Sequence, residues 1–176
     1  VITNSYSITG LPDSFKVIGR GYAGPIPVPV VIMAVCYVIG FAVLKYTKFG
    51  RSAYSIGGNI EAARLSGVPV VKNKILIYII CGLTAGIAGI ILSSRMFSGQ
   101  PSAGNGLELD AIAACVIGGT STTGGKGRLW GTFLGALIMG IITNGMNLMN
   151  ISTNWQLIVQ GMIIVIAVGL DRIKSN

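Results

Sequence analysis

The sequence has no histidine and little charge. Its 176 residues include 13 Lys and Arg but only 5 Asp and Glu, so that 10% of the chain is charged. The absence of His excludes a His-based metal site or acid–base centre. A soluble domain carries about a quarter charged residues, and so low a proportion is typical of a membrane protein.

Cysteine is also scarce. Cys36, Cys81 and Cys115 each lie inside an apolar run, and no two of them are spaced as CxxC. We interpret them as small packing residues rather than as a disulfide or metal framework. The sequence therefore predicts no metal site.

Apolar residues and glycine are abundant instead. The chain is 52% hydrophobic with 26 Gly, its mean hydropathy is +0.74, and glycine lets helices approach closely in lipid. The net charge of +8 would suit nucleic acid only if a basic face carried aromatic or groove-reading elements. The basic residues cluster at the ends of apolar runs, so we expect membrane lipid around the chain and no nucleic acid.

Charge-free runs set the number of membrane crossings. Ile26–Leu44 has 19 residues, Ile75–Leu92 has 18, and the 42 residues of Leu129–Leu170 allow two crossings with a turn near 150–154. The apolar run 111–119 is short, and suits a tilted, broken or re-entrant helix. The sequence predicts an all-α integral membrane protein, a polytopic helical bundle with about five transmembrane segments. These are 26–44, 75–92, 109–122, 129–149 and 155–170.

The distribution of basic residues predicts the orientation. With five crossings, one side collects 10 basic residues and the other side 3, namely Lys16, Arg20 and Arg95. The positive-inside rule then places residues 1–25 in an external loop, and 45–74 and the carboxy terminus in the cytoplasm. Without the third crossing the count becomes six against seven, which favours its presence. The ten are Lys45, Lys48, Arg51, Arg64, Lys72, Lys74, Lys126, Arg128, Arg172 and Lys174.

A polar stretch at 59–69 separates two of the apolar runs. Asn59 is a good helix N-cap, Glu61 suits the first turn, and Gly67 followed by Pro69 ends the helix. The pattern predicts about seven helical residues, roughly 10 Å long. So short a helix is marginal alone in water, so we expect packing against a neighbour to fix it. An ordinary polar loop is the alternative.

The glycine-rich segment 118–127 invites comparison with a phosphate-binding loop. A Walker A loop needs Gly five residues before the Gly of its Gly-Lys pair and Ser or Thr after the Lys. Here Thr120 and Gly127 occupy those two positions around Lys126. The pattern fails twice, so we do not expect this chain to hydrolyse ATP.

The polar stretch resembles a known motif. Glu61-Ala62-Ala63, with Gly67 four residues further on, is similar to the EAA loop of bacterial ABC-importer permeases. In that family the loop forms a coupling helix that docks in a groove on the cytoplasmic ATPase. The family pattern continues with Ile-x-Leu-Pro. Ile77 fits it, whereas Ile79 and Ile80 replace Leu-Pro, a departure typical of the sugar-permease branch.

Other segments carry a closer resemblance. Residues 106–114, 118–121 and 124–128, together with 65–68 and 144–148, are similar to the ribose-type monosaccharide permeases of ABC importers. The likeness runs in consistent order from Gly50 to the end. The chain is thus identified as a member of that family, and we expect it to be the carboxy-terminal portion of a longer permease.

The resemblance implies a set of partners. Two permease subunits, expected to be identical, form a pathway between them in the bacterial inner membrane. A periplasmic or lipid-anchored sugar-binding protein delivers the monosaccharide, with ribose as the first expectation. A separate ABC ATPase binds the coupling helices and uses ATP, so the chain itself is expected to be no enzyme and to need no cofactor.

Two groups of candidate residues follow from these patterns. Small residues and paired charges suit docking on the ATPase, and the Asn pair at 144 and 147 puts polar groups on one helical face in an apolar run. The Asn pair serves equally as helix packing, and Glu108 and Asp110 equally as helix caps. The coupling candidates are Asn59, Glu61, Ala62, Ala63, Arg64 and Gly67; the pathway candidates are Asn144, Asn147, Glu108 and Asp110.

Other functions remain open at this stage. A permease for another pentose, a hexose, an autoinducer-type sugar or a branched-chain amino acid fits the same patterns. A secondary transporter or channel is disfavoured because ion-coupled carriers place ionisable residues at mid-membrane, and the three long runs contain none. A purely structural membrane protein would have no need of a capped cytoplasmic helix.

Overall fold

A computed structural model describes residues 10–175, with side chains given through Gly169 and for Asp171. Residues 1–9 of the predicted external loop, and the Arg172 and Lys174 side chains counted above, lie outside this description. After a 3-10 turn at Asp13–Phe15, the elements are α1 Lys16–Arg20, β1 Tyr22–Ala23, β2 Ile26–Pro27, α2 Val28–Tyr46, α3 Lys48–Gly58, α4 Ile60–Leu65, α5 Val70–Met96, α6 Leu107–Ile117, α7 Leu129–Leu148 and α8 Thr153–Ser175.

The helical membrane architecture is confirmed. Among the residues that the structure describes, the three helices α2, α5 and α7 are long and apolar enough to cross a bilayer, and α8 contributes a shorter apolar part at 153–169. Each of the five predicted segments contains a helix. The third is the exception in length, because α6 has 11 residues, about 16 Å of helix against a hydrocarbon core of about 30 Å.

The chain divides into two compact units. Unit 1 comprises the described part of Val1–Gly50 together with Val71–Asn105, and unit 2 comprises Arg51–Val70 with Gly106–Asn176. The sequence predicts a single transmembrane permease domain over residues 1–176, and this stays a prediction.

In unit 1 the polar segment before α2 packs on the end of α5. The hydroxyl of Ser94, which is fully buried, accepts from Gly19 N at 2.8 Å and donates to Phe15 O. Arg20 Nε donates to the carbonyl oxygen of Arg95 at 2.8 Å. The part of the predicted external loop that the structure describes is therefore folded and fixed to α5. Two short antiparallel strands, with Tyr22 opposite Pro27, connect it to α2.

An exposed ion pair lies on the same segment. Lys16 Nζ donates to Asp13 Oδ1 at 2.6 Å. This hydrogen bond, followed by the charge of the ammonium group, lowers the pKa of Asp13. The ammonium group also lies 4.1 Å from the centre of the Phe97 ring, which ties α1 to the residue that follows α5.

In unit 2 glycines allow α6 and α7 to pack almost backbone to backbone. A Cβ built on Gly131 would lie 1.9 Å from Gly118 O, and one on Gly135 would lie 2.1 Å from Ala114 O. Both contacts are with main-chain atoms, so no rotamer change relieves them. Buried Ala113, Ala114 and Met139 fill the core beside this contact.

The Gly131→Ala substitution should therefore destabilise the protein. We expect a loss of about 2 kcal/mol or more, in the upper range of overpacking effects, because two backbones must separate. Gly140→Ala is the matched control, since a Cβ at Gly140 on the same helix meets nothing within 4 Å. Thermal unfolding of the full-length protein in detergent measures both. Equal melting temperatures for the two variants would contradict the close α6–α7 contact.

The α6 segment runs parallel to α8. Gln160 Nε2 donates to Asp110 Oδ1 at 2.8 Å, and Ser121 Oγ donates to Asp171 Oδ2 at 3.2 Å. The two bonds are 11 residues apart on both segments, so α6 and the turn after it advance alongside α8 for about 16 Å. A short helix with an irregular extension thus covers the length of the third predicted crossing.

Candidate functional site

The polar stretch at 59–69 forms a capped helix, α4. The Asn59 side chain accepts from Ala62 N at 3.0 Å, and Asn59 itself has extended backbone angles. Glu61 lies in the first turn, where a negative charge is favoured by the helix dipole. The amino-terminal cap is the one that the sequence indicates.

The carboxy-terminal end of α4 is closed by a Schellman motif. Gly67 has a φ of 78°, its N–H donates to Arg64 O, and Val68 N donates to Ala63 O, both at 3.0 Å. Ser66 Oγ adds a hydrogen bond to Ala62 O at 2.8 Å. Because a left-handed residue is needed at this point, glycine suits position 67 better than any residue with a Cβ.

The side chains of α4 divide into one buried anchor and several exposed groups. Ala63 is 2% exposed, whereas Leu65 is 88% exposed. Ile60, Glu61 and Arg64 are exposed as well. A six-residue helix that leaves a leucine in water next to two opposite charges has the composition of a small docking surface.

A glycine contact anchors the segment before α4. Gly57, near the end of α3, lies against the loop that joins α6 to α7, and a Cβ built on it would be 2.6 Å from Gly125 N. On the facing side, Gly124 and Gly125 have φ values of 92° and 72°. A Cβ at Gly124 would be 2.4 Å from Gly57 O. Three glycines thus let two main chains touch two residues before the Asn59 cap of α4.

The α6–α7 loop is itself held at several points. Tyr54 Oη donates to Gly127 O at 3.1 Å, and Ser121 N donates to Lys126 O at 2.9 Å. On α8, Asp171 Oδ2 accepts from Ser121 Oγ at 3.2 Å, from Thr122 N at 3.2 Å and from Thr122 Oγ1 at 3.3 Å. The loop that contacts Gly57 before α4 is therefore hydrogen-bonded to the carboxy-terminal part of α8.

A polar cavity of about 380 Å³ lies towards the other end of these helices. It brings together three of the four residues that the sequence suggests for a pathway: Asp110, Asn144 and Asn147. The fourth, Glu108, does not line it, and its Oε2 accepts from Gly106 N at 3.1 Å. The other lining residues are Ala111, Ala114, Ala136, Met139, Gly140 and Thr143.

Two buried polar side-chain atoms have no hydrogen-bond partner among the described residues. They are Thr143 Oγ1, on a residue of the cavity wall, and Gln160 Oε1 on α8, and Gln160 as a whole is 5% exposed. Gln160 does not line the cavity, but its amide donates to the Asp110 carboxylate, which does. A buried unsatisfied group costs about 1–3 kcal/mol.

The remaining predicted residue, Asn147, links α7 to α8. Gln156 Nε2 donates to Asn147 Oδ1 at 2.9 Å and to Ile151 O at 2.8 Å. Asn147 therefore lines the cavity and also fixes the α7–α8 turn. The helix contact that the sequence left open is present at this residue, and the pathway role stays a prediction.

Sequence reasoning missed several residues of these two sites. Gln156 and Gln160 are four residues apart in an apolar run, and this is the same signal that identified the Asn pair. Thr143 and Asp171 are also polar positions that the sequence displays. Tyr54 and Gly57 carry no such signal, because their role depends on main-chain contacts across about 70 residues of chain.

Comparison with known proteins agrees with these features. The family described as "Branched-chain amino acid transport system / permease component" matches residues 2–168. The chain belongs to this permease family. It is therefore a multi-pass membrane protein, and the α4 loop and the polar cavity are features of a permease. No solved structure shows a significant match to the chain.

Several relatives of this permease are sugar permeases by name. The ribose import permease RbsC of Bacillus subtilis is 50% identical over 99% of this chain and 55% of the relative. RbsC of Escherichia coli K12 is 49% identical over 93% and 51%. The xylose transport system permease XylH of the same strain is 51% identical over 83% and 37%. The permease chain thus spans about half the length of the ribose relatives it matches.

The described residues offer no set of metal ligands. No group of three or more His, Cys, Asp or Glu side chains is close enough to hold an ion in the part of the chain that the structure describes.

Proposed function

We propose that this chain is part of the membrane permease of an ATP-driven ABC importer for a pentose, with ribose as the first candidate. The α4 segment is the docking helix for a separate ATPase, and the cavity at Asp110 and Thr143 is part of the sugar pathway. The observation that carries the proposal is the rigid mounting of α4. A capped helix with exposed Leu65, Glu61 and Arg64 is held by backbone contacts to the loop between α6 and α7.

The mounting suits mechanical coupling. Gly57 contacts the α6–α7 loop, and that loop is hydrogen-bonded to α8 through Asp171. A displacement of α4 by an ATPase would therefore be transmitted to the helices that form the cavity. Such transmission requires packed elements rather than flexible connections, and the glycine contact provides them.

The cavity favours a sugar over an amino acid. Its described lining residues include one carboxylate, Asp110, and no cation. A zwitterionic amino acid would bring a carboxylate that finds no positive partner there. Sugar hydroxyls both donate and accept, so they suit the carboxylate, hydroxyl and amide groups of Asp110, Thr143 and Asn144 in the lining. The volume of about 380 Å³ is within the range of small-molecule sites, roughly 300–1,000 Å³.

Partners and location complete the proposal. The permease lies in the bacterial inner membrane as one of two subunits, with α4 and the carboxy terminus in the cytoplasm. A sugar-binding protein acts on the outside, and the partner ATPase binds and uses ATP, so the permease needs no cofactor and has no enzymatic site. The charge distribution supports this orientation. Arg51 and Arg64 lie on α3 and α4, and Lys126 lies in the α6–α7 loop, which accepts a hydrogen bond from Tyr54 of α3.

The docking proposal is tested by a pulldown of the partner ATPase with the full-length permease. The Glu61→Lys, Gly67→Pro variant reverses one charge and removes the left-handed residue that closes α4. We expect ATPase retention to fall at least tenfold, since Pro cannot adopt the φ of 78° found at Gly67. Membrane insertion should be unchanged.

Glu108→Lys is the control for this pulldown. It makes the same charge change at an exposed carboxylate in the first turn of α6, a part of the chain that we place on the outer side. ATPase retention should equal that of the parent protein. Full retention by the Glu61→Lys, Gly67→Pro variant would remove the docking role from α4.

Xylose is a specific alternative substrate. The xylose permease XylH matches this chain at 51% identity, as high as the ribose relatives do. Direct uptake measurements with labelled ribose and xylose in a strain lacking other pentose importers distinguish the two. A preference for xylose would change the substrate without changing the proposed mechanism.

A further inference from the structure

A second, basic cavity lies in unit 2 at the start of α7. Its volume is about 700 Å³, and its walls combine loop glycines with Tyr54, Lys126, Arg128, Trp130 and Leu134. This cavity is distinct from the polar cavity at Asp110, and no residue lines both. Its wall shares Tyr54, Gly125 and Gly127 with the contacts that hold α4, but the side chains of Lys126, Arg128, Trp130 and Leu134 have no part in the coupling or transport roles proposed above.

The two cations in this cavity have no compensating negative charge. The lining includes no Asp or Glu, and the one ion pair among the described side chains is Lys16 with Asp13. Lys126 and Arg128 are both exposed. Two adjacent unpaired cations create a local positive potential that attracts an anion.

An apolar face continues from the cavity along α7. Trp130, Leu134, Leu137, Ile138 and Ile141 recur at helical spacing and are all exposed. This helix is one of the three that can cross a bilayer. The face therefore begins at the basic cavity and extends into the hydrocarbon region, with a tryptophan at the boundary where such residues are enriched.

We propose that this cavity binds the headgroup of an anionic phospholipid, with an acyl chain lying on the exposed α7 face. Lys126 and Arg128 hold the phosphate, and Arg128 has the planar donor group that matches phosphate oxygens. Trp130 and Leu134 contact the start of the chain. An acidic protein segment would bind the same two cations, but it would not explain the apolar face that extends into the membrane.

The test uses Trp130 as the reporter. The full-length permease, with Trp130 as its single tryptophan, is reconstituted in phosphatidylcholine vesicles that contain either brominated phosphatidylglycerol or brominated phosphatidylcholine. We expect phosphatidylglycerol to quench Trp130 selectively. The Lys126→Gln, Arg128→Gln variant should lose about thirtyfold in this lipid preference, since each basic residue near an anionic membrane surface contributes about fivefold.

Lys72→Gln, Lys74→Gln is the matched control, because it removes two exposed cations from the beginning of α5 and should leave the preference intact. Equal quenching by both lipids, or an equal loss in the control, would overturn the proposal. Protection of Trp130 from both lipids would show that protein covers the face, and would overturn it as well. Loss of selective quenching on adding inorganic phosphate, but not chloride of equal ionic strength, would assign the cavity to free phosphate instead.

Discussion

Gly57→Val is expected to uncouple the permease from its ATPase. A Cβ at this position would be 2.6 Å from Gly125 N and 3.3 Å from Gly125 Cα, so the two main chains must move apart. The displacement acts two residues before the Asn59 cap of α4. We expect sugar transport to fall at least tenfold, while ATPase binding falls less, because the exposed surface of α4 remains intact.

The matched control for this variant is the neighbouring residue. A Cβ at Gly58 meets nothing within 4 Å, so Gly58→Val makes the same side-chain change on the same helix without the clash. It should transport sugar at close to the parent rate. The measurement is transport and sugar-stimulated ATP hydrolysis in proteoliposomes. If both variants behave alike, α4 does not act through the α6–α7 loop.

The difference between Gly57 and Gly58 also shows a long-range contact that the sequence does not predict. Two adjacent glycines look equivalent in the sequence, and only the fold determines that a side chain would clash at Gly57 and not at Gly58. By contrast, α4 was predictable, because its cap, its terminating Gly67 and the following Pro69 are local signals. The predicted length of about seven residues compares with six observed from Ile60 to Leu65.

The same division between local and long-range information applies to the helices. The fourth crossing, predicted at 129–149, is helical over Leu129–Leu148. Its two ends are visible in the sequence, because a charge-free run begins at Leu129 and a turn is predicted near 150–154. The third crossing, predicted at 109–122, is helical only to Ile117, with Gly118 as its C-cap. The residues after Gly118 form an irregular loop that is hydrogen-bonded to Asp171. Local hydropathy does not predict this contact, because its partners lie about 50 residues apart in the chain.

Only part of the candidate pathway could be predicted from the sequence, for a related reason. Polar residues in an apolar run identify Asn144 and Asn147, and the same rule applies to Gln160 on α8, which donates a hydrogen bond to Asp110 of the cavity wall. Which of these side chains is satisfied depends on packing. Asn147 accepts a hydrogen bond from Gln156, whereas the Gln160 carbonyl has no partner among the described residues. Only the second situation points to a ligand.

Thr143→Val is expected to stabilise the ligand-free protein while it weakens transport. The Thr143 hydroxyl is buried without a hydrogen-bond partner among the described residues, so replacing it with an isosteric methyl group removes a cost of about 1–3 kcal/mol. If a sugar hydroxyl normally completes this site, the same change removes a hydrogen bond from the bound state. We expect the melting temperature to rise by a few degrees and transport to fall about tenfold.

Thr84→Val separates this effect from a general response to losing a threonine in a spanning helix. The Thr84 hydroxyl in α5 donates to Ile80 O at 3.0 Å and is exposed, so its loss should neither raise stability nor reduce transport. Melting curves and initial uptake rates of the full-length proteins provide the comparison. A Thr143→Val protein that is destabilised but transports normally would show that the hydroxyl has a structural partner and that the sugar passes elsewhere. Opposite movements of stability and transport are the result that only a ligand-binding hydroxyl predicts.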